Sequence, residues 1–491
     1  MSITRVNTFA FSGIDPIPVE VQVQISRGLP AFIIVGLADK AVTESRERVK
    51  AALTSMGLAL PPKRILVNLA PADILKEGTH YDLPIAVGIL SALEIIPEEE
   101  VFHYVAIGEL SLDGQICPVN GVISATIGSS QLEKGLICPH AQGSEALLGG
   151  DIDILAAKSL LALIQHFKGQ QILIKPAFKP IASRKKTLDL SEVKGMESTK
   201  RALEIAAAGG HSMLMVGPPG CGKSMVAHCM TGLLPDLTLT ESLETTRIYS
   251  SAGLLSYAAP IQRPPFRAPH HSASAIAITG GGTKVKPGEI SLAHHGVLFL
   301  DELPEFSRNA LESLRQPLET GTISIARATS HITYPAKFQL LAAMNPCRCG
   351  YLGDIERECH RIPRCKEEYW RKISGPLLDR IDIIAHVESI SSKELTCPSK
   401  GEKSESIAIR VKKARKLQYA RQNTLNNELS SVQFKLNHDV TTMIENASMQ
   451  LRLSNRGMLR LLRVAQTIAD LDHLVEINVA SIAEALNFRQ R

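Results

Sequence analysis

The stretch Met213-Leu214-Met215-Val216-Gly217-Pro218-Pro219-Gly220-Cys221-Gly222-Lys223-Ser224 decides the fold. From Gly217 onward it fits the pattern G-x-x-x-x-G-K-[ST] at every fixed position. An apolar strand precedes the glycines, and the helix-compatible run 225–230 follows them. The glycines let the backbone wrap phosphates, and the amides of the helix N-terminus supply positive charge. The stretch therefore predicts a nucleotide-binding loop in which Lys223 reaches the β- and γ-phosphates and Ser224 ligates Mg²⁺.

Two further apolar runs end in polar residues that complete such a site. Val297-Leu298-Phe299-Leu300 is followed by Asp301 and Glu302. Ligands of open α/β sheets bind at the carboxyl ends of strands. We expect Asp301 to hold Mg²⁺, directly or through water, and Glu302 to activate the attacking water. Asn345 ends the run 340–344 and either holds that water or forms an Asx turn before Pro346.

The segment Leu377-Leu378-Asp379-Arg380 precedes the apolar run 381–387. An arginine at such a junction either forms a structural ion pair or reaches the γ-phosphate of a neighbouring subunit. The residues leave both roles open for Arg380.

The length of 491 residues predicts about three domains. Residues 1–167 mix strand-like and helical runs, which indicates an α+β domain. Residues 189–395 alternate apolar strands and helices, as a parallel α/β sheet does. Residues 405–491 carry helical periodicity. Polar segments at 168–188 and 396–404 are interpreted as linkers.

Local patterns in the first domain predict particular elements. Alternation over 19–25 predicts a half-buried strand, and the apolar runs 32–36 and 65–69 predict buried strands. Residues 43–56 predict an amphipathic helix that Thr43 caps.

Charge and composition exclude some classes of protein. The chain has 54 basic and 49 acidic residues, a net charge of +5 that permits nucleic-acid binding without requiring it. Aromatic residues make up only 4%, which disfavours a surface of stacked aromatics. No apolar run approaches the ~18 residues of a membrane helix, and the N-terminus lacks a signal-peptide core. We expect a cytoplasmic protein that does not contact membranes.

Four of the nine cysteines, Cys347, Cys349, Cys359 and Cys365, are clustered. Four thiolates suit a tetrahedral, structural Zn²⁺ in a reducing compartment. The alternative is a set of small or free thiols. The histidine pairs 270–271 and 294–295 are interpreted as polar loop residues rather than metal ligands.

Two loops carry exposed basic residues. Residues 321–334 predict two β-prone arms around a tip that contains Arg327. Residues 279–287 predict a flexible glycine loop that carries Lys284 and Lys286. Each is either a solvated turn or a loop that contacts DNA phosphates.

These motifs occur in the order of AAA+ proteins, and other segments are more specific. They are Phe266-Arg267-Ala268-Pro269-His270-His271-Ser272, Gly280-Gly281-Gly282, Pro287-Gly288-Glu289-Ile290-Ser291-Leu292-Ala293-His294 and Ser374-Gly375-Pro376-Leu377-Leu378-Asp379-Arg380. Nearly the whole chain resembles the ComM/YifB family of magnesium-chelatase-like AAA+ ATPases. The resemblance implies an AAA+ P-loop core with a helical lid and a ring, most simply a homohexamer, whose finger Arg380 acts in trans. It also implies Arg456 as the sensor-2 residue, with Arg460 and Arg463 as alternatives on the same helix.

The N-terminal segments Leu75-Lys76-Glu77-Gly78-Thr79-His80-Tyr81-Asp82-Leu83-Pro84 and Ile107-Gly108-Glu109-Leu110-Ser111-Leu112-Asp113-Gly114 resemble the Lon-type Ser–Lys protease domain, which has a ribosomal protein S5 domain 2-like fold. Thr79, His80 and Tyr81 occupy the neighbourhood of the nucleophile. Ser124 and its neighbours replace the lysine expected after Gly121. A Ser–Lys mechanism needs both groups within hydrogen-bond reach. We therefore expect a non-catalytic module that contacts the ring or a partner.

The resemblance implies an ATP-driven DNA motor, a helicase that acts by branch migration in homologous recombination during natural transformation. Its cofactors would be ATP and Mg²⁺. Its partners would be single-stranded and branched DNA, other copies of the chain and recombination proteins. One alternative is a chelatase-type ATPase that remodels a protein partner for metal insertion, and another is a nucleotide-gated DNA-binding scaffold.

Overall fold

The fold was derived from a computed structural model that describes residues 3–177, 188–255, 259–282, 285–326, 331–352, 359–388, 401–429, 434, 436–451 and 453–489. The strands are β1 Thr4–Ser12, β2 Asp15–Ser26, β3 Ala31–Val35, β4 Arg64–Ala70, β5 Tyr104–Ala106, β6 Glu109–Leu110, β7 Ile116–Cys117, β8 Gly135–Pro139, β9 Ile154–Ala157, β10 Met213–Val216, β11 Phe266–Arg267, β12 Gly280–Gly281, β13 Lys286–Pro287, β14 Val297–Leu300, β15 Thr322–Ala326, β16 His331–Pro335, β17 Gln339–Met344 and β18 Ile383–His386.

The helices alternate with these strands and then continue alone to the C-terminus. They span Lys40–Ser55, Asp82–Ala92, Glu98–Phe102, Val122–Gln131, Gly143–Ala146, Leu160–Phe167, Glu197–Gly209, Lys223–Leu233, Leu239–Ala252, Ala275–Thr279, Glu289–Leu292, Arg308–Ser313, Pro317–Thr320, Arg364–Trp370, Gly375–Leu378, Ser404–Gln422, His438–Leu451, Asn455–Leu471 and Val479–Asn487.

The N-terminal region is built on a seven-stranded mixed sheet with the order β3-β4-β2-β1-β5-β8-β9. β2 alternates as the sequence predicts, since Val19, Val21 and Val23 are buried while the residues between them are partly exposed. The helix Asp82–Ala92 packs against β1 and β2 and is almost wholly buried. This region is therefore α+β, as predicted.

Two local predictions for this region are wrong. The run 32–36 was expected to be buried, but β3 is the edge strand of the sheet and leaves Ile33 and Val35 36% and 41% exposed. An apolar run predicts a strand but does not reveal whether a neighbour covers it. The first helix begins at Lys40 rather than Thr43, and Asp39 caps it by accepting a hydrogen bond from the Val42 amide at 2.7 Å.

A five-stranded, wholly parallel sheet with the order β11-β14-β17-β10-β18 follows. Every residue of β10, β14 and β17 is buried, because helices cover both faces. The carboxyl ends of parallel strands meet at one edge of the sheet. The phosphate loop, Asp301 and Asn345 therefore lie at a common edge.

The C-terminal helices pack against this α/β unit and share its hydrophobic core. Val411 and Leu461 of the C-terminal region lie in the same buried cluster as Leu203 and Val226. The predicted core and helical lid are present. Residues 178–187 of the first predicted linker and 396–400 of the second lie outside the described residues, as do residues 389–395 at the end of the predicted core.

The helix Leu239–Ala252 joins the two sheets. Arg247 Nη2 contacts Asp15 Oδ1 at 3.0 Å and donates to the Ile14 carbonyl at 2.9 Å. The Ser250 hydroxyl donates to Glu145 Oε1 at 2.5 Å. These contacts tie the N-terminal region to the second unit.

Candidate nucleotide site and its surroundings

The phosphate loop runs from the end of β10 into the helix Lys223–Leu233, as the sequence predicts. Gly220 and Gly222 have φ angles of +77° and +91°, a conformation that glycine adopts without strain. The Ser224 hydroxyl donates to Asp301 Oδ2 at 2.5 Å. The two oxygens expected to ligate Mg²⁺ are thus already neighbours.

Lys223 is folded into the loop. Its ammonium donates to the carbonyls of Gly217 and Pro218, each at 2.8 Å, and to Asn345 Oδ1 at 3.3 Å. Phosphate oxygens would replace these acceptors when a nucleotide binds. Asn345 is therefore in contact with the site, at the end of β17.

Glu302 follows Asp301 in the left-handed region, with a φ of +53°. Its carboxylate lies 3.1 Å from His271 Nδ1. His271 follows β11, the strand that pairs with β14. Sequence patterns did not assign His271 to this site, although its position after a neighbouring strand is a usable signal.

Arg380 pairs with an acid that is distant from it in sequence. Its Nη1 donates to the Pro376 carbonyl at 2.7 Å, and its Nη2 forms an ion pair with Glu319. Asp382 instead lies 3.4 Å from His211 and 3.5 Å from Arg460. The Arg380 side chain is only 10% exposed.

The three lid arginines have different surroundings. Arg460 is paired with Asp382, and Arg463 donates to the Leu429 carbonyl from Nε and Nη2 at 2.8 and 2.6 Å. Arg456 lies exposed in the first turn of the helix Asn455–Leu471. Within the described part of the chain it has no hydrogen-bond partner. Of the three arginines, Arg456 is the most exposed.

The four clustered cysteines converge. Their sulfur atoms lie within 4.8 Å of one another, with Cys347–Cys349 at 3.2 Å and Cys365–Cys349 at 4.0 Å. Tetrahedral Zn–S bonds of about 2.3 Å place sulfurs about 3.8 Å apart. Cys347, Cys359 and Cys365 are buried. The donor set therefore fits a closed Zn²⁺ site.

The cysteine cluster adjoins the phosphate loop. Gly350, which follows Cys349, packs closely against Pro219 of the phosphate loop. Any side chain at position 350 would clash there, since its Cβ atom would lie 2.8 Å from Pro219 Cδ. Trp370 Nε1 donates to the Pro346 carbonyl at 3.3 Å, which holds the start of the cysteine segment against the helix Arg364–Trp370. Changes in the cluster would therefore reach the nucleotide site directly.

A second group of potential ligands joins Glu244 to His294 and His295, at 3.2 and 2.8 Å. The amide of Lys337 donates to His294 Nδ1, so the proton of the neutral ring lies on Nε2, facing Glu244. Burial lowers the pKa of His294 to about 4, which keeps the ring neutral. A protonated Nε2 is a hydrogen-bond donor rather than a metal ligand, which agrees with a polar structural role.

The two basic loops lie side by side. β15 and β16 form the predicted antiparallel arms. In the glycine loop, β12 and β13 pair as two short antiparallel strands. Tyr334 Oη donates to the Val285 carbonyl at 3.2 Å, which joins the two hairpins. Lys286 is exposed, whereas Arg327 and Lys284 lie outside the described residues.

The N-terminal residues near the protease-like motifs have other partners. The Thr79 hydroxyl donates to Glu109, and the ammonium of Lys76 donates to the Pro71 carbonyl. Ser124 is buried, and Arg247 Nε lies 3.4 Å from its hydroxyl. Lys76, Thr79 and Ser124 are therefore each in contact with groups other than one another.

A phosphate loop after β10, acidic and amide groups on neighbouring parallel strands and a packed helical lid define an AAA+ P-loop protein. Family profiles agree: residues 189–395 match magnesium chelatase, subunit ChlI; residues 21–142 match subunit ChlI of Mg-chelatase; and residues 401–489 match its C-terminal part. The chain belongs to the ComM/YifB family of magnesium-chelatase-like AAA+ proteins. This membership implies ATP and Mg²⁺.

Several relatives match over the full length of this chain. YifB of Escherichia coli K12 is 42% identical over 100% of this chain and 97% of its own. The competence protein ComM of Haemophilus influenzae is 43% identical over 100% of this chain and 98% of its own. An MCM-type protein of Methanocaldococcus jannaschii is 25% identical over 40% of this chain and 24% of its own.

Among the described residues, no helix combines the length and the apolar character that crossing a membrane requires.

Proposed function

We propose that this protein is an ATP-driven DNA motor that works as a homohexameric ring. It would act on single-stranded and branched DNA, as a branch-migration helicase, in homologous recombination during natural transformation. The observation that carries this proposal is the assembly of Lys223, Ser224, Asp301 and Asn345 at one sheet edge, in a chain that matches a competence protein over its full length. The partial likeness to an MCM-type protein also supports a role on DNA.

Each group in the site has a proposed task. Lys223 and the loop amides bind the phosphates, Ser224 and Asp301 hold Mg²⁺, and Glu302 activates water that Asn345 orients. Bound Mg²⁺ would neutralise phosphate charge. Arg380 and Arg456 would contact the nucleotide from the neighbouring subunit and from the lid.

The decisive experiment measures the ATPase rate with and without single-stranded DNA, followed by a branch-migration assay. Stimulation together with branch migration supports a motor. An ATPase rate that DNA does not change favours a chelatase-type ATPase that remodels a protein partner. DNA binding without strand movement favours a nucleotide-gated scaffold.

The paired hairpins predict how DNA is held. Arg327→Ala should preserve the basal ATPase rate but abolish DNA stimulation and strand movement, because the β15–β16 tip would no longer grip phosphates. Lys284→Ala with Lys286→Ala should weaken binding and flatten its salt dependence. For single-stranded DNA, the logarithm of the binding constant falls linearly with the logarithm of the salt concentration. The magnitude of this slope should decrease by about 0.7 for each phosphate that is no longer neutralised. Binding titrations at several salt concentrations measure both effects.

Exposed lysines of the N-terminal region provide the control for this prediction. Lys50→Ala with Lys63→Ala removes the same charge at a distance and should leave the slope unchanged. If Arg327→Ala rings branch-migrate DNA at the parental rate, the hairpin is not the translocating element.

We also propose that Cys347, Cys349, Cys359 and Cys365 bind a structural Zn²⁺. Metal analysis should find about one zinc per chain. Cys347→Ser with Cys365→Ser should lose the metal, lower the melting temperature and reduce ATP turnover, because the cluster supports Pro219 of the phosphate loop. Cys117→Ser, in the N-terminal sheet region, should retain the metal. A fully folded, active and metal-free parent protein would contradict this assignment.

A further inference from the structure

Arg380 is folded back into its own subunit. Its side chain is 10% exposed, and its Nη1 and Nη2 are engaged by Pro376 and Glu319. Its buried Nε has no hydrogen-bond partner among the described residues. A guanidinium that is buried to this extent cannot reach a neighbouring subunit unless it first turns outward. Leaving a buried N–H donor unpaired also costs free energy. The folded-back conformation of Arg380 is therefore only partly stabilised by its contacts.

The partner of Arg380 lies at the base of the β15–β16 hairpin. Glu319 belongs to the helix Pro317–Thr320, which passes through Gly321 directly into β15. The Gly321 amide donates to the Pro317 carbonyl at 2.9 Å, and the Ala336 amide donates to the Gly321 carbonyl at 2.8 Å. Gly321 therefore links the last turn of the helix to the closed base of the hairpin.

We propose that Glu319 is a positioning residue that retains Arg380 in the inactive position, and that DNA bound at the β15–β16 hairpin releases it. A load on the hairpin moves the helix Pro317–Thr320 and withdraws the Glu319 carboxylate. Arg380 then turns outward toward the neighbouring nucleotide. This inference rests on the proposed function, because it takes Arg380 as the trans-acting finger.

The charge arrangement supports this coupling. Glu319 is 52% exposed, so water can solvate its carboxylate once the ion pair opens. Arg380 would exchange one anionic partner, the carboxylate, for another, the γ-phosphate. The pair therefore separates without leaving an unsolvated charge on either side.

The test is the ATPase rate of Glu319→Gln, with and without single-stranded DNA. Loss of the carboxylate should raise the DNA-independent rate by about two- to fivefold. This factor corresponds to the free energy that a partly exposed ion pair contributes. The DNA-saturated rate should stay at the parental value, so that the stimulation ratio falls. Glu319→Asp, which keeps the charge on a shorter stem, should lie between the parent and Glu319→Gln.

Two further variants isolate the effect. Glu44→Gln, which removes an exposed carboxylate of similar exposure paired with Lys40, should leave both rates unchanged. In an Arg380→Ala background, Glu319→Gln should have no effect on the ATPase rate. An unchanged or lower basal rate in Glu319→Gln, or a rise that persists without Arg380, would overturn the proposal.

The outcomes also separate this inference from the proposed function. One outcome is that DNA leaves the ATPase rate of the parent protein unchanged while Glu319→Gln still raises the basal rate in an Arg380-dependent way. That result would support the retention of Arg380 by Glu319 and contradict the proposed DNA motor. If DNA stimulates the ATPase rate of the parent protein and Glu319→Gln has the same rates as the parent, the result supports the DNA motor and contradicts the retention of Arg380 by Glu319.

Discussion

Glu302→Gln rings should bind ATP with parental affinity and hydrolyse it about 10²- to 10⁴-fold more slowly, the contribution typical of a general base. The amide keeps the size of the side chain and cannot accept a proton from water. Lys223, Ser224 and Asp301 remain in place, so the phosphates and metal are still bound. Nucleotide binding by fluorescence and single-turnover hydrolysis measure the two steps separately.

Two controls define this result. Glu305→Gln changes an acid three positions further on that pairs with Lys372 at 3.0 Å, and should leave turnover unchanged. Lys223→Ala should lose tight ATP binding, because it removes a phosphate contact. Normal turnover in Glu302→Gln would show that another group activates the water.

The site elements that the sequence predicted share one property: local pattern alone places them. The phosphate loop, Asp301 and Asn345 each follow a buried strand, and parallel strands bring such ends to one edge. A parallel sheet brings these strand ends to a common edge. The Ser224–Asp301 hydrogen bond also depends on the order of the strands, because β17 lies between β14 and β10.

The partners that the sequence analysis missed are brought close by tertiary packing. Glu319 is 61 positions away from Arg380, and nothing in either segment identifies the pair. His271 reaches Glu302 only because β11 pairs with β14. Asp379 and Asp382 are the acids nearest to Arg380 in sequence, but Asp382 lies beside His211 and Arg460.

The errors in the N-terminal region have a similar origin. The run 32–36 has the composition of a buried strand, but the sheet order puts β3 at an edge. Thr43 and Asp39 are both acceptable capping residues, and only the backbone geometry at Asp39 decides between them. Residue propensities therefore predicted the type of each element correctly. They did not predict the burial of β3 or the residue that caps the helix.

Arg380→Ala subunits should bind ATP but hydrolyse it at least about 10³-fold more slowly, because a finger in trans stabilises charge that develops in the transition state. The substitution leaves Glu319 half-exposed and solvated, and the melting temperature of the variant is measured alongside to show that it folds. Arg371→Ala, which removes an 80% exposed arginine paired with Glu367, is the matched control and should retain activity.

Mixing separates a trans role from a cis role. Arg380→Ala and Lys223→Ala subunits are each inactive alone, since one lacks the finger and the other the phosphate contact. In a mixed ring, some interfaces join an intact phosphate loop to an intact Arg380, and ATPase activity should return at those interfaces. The recovered rate should rise and fall with the mixing ratio, highest where such interfaces are most numerous. No recovery in rings shown to exchange subunits would assign Arg380 a structural role within its own subunit, through its pair with Glu319.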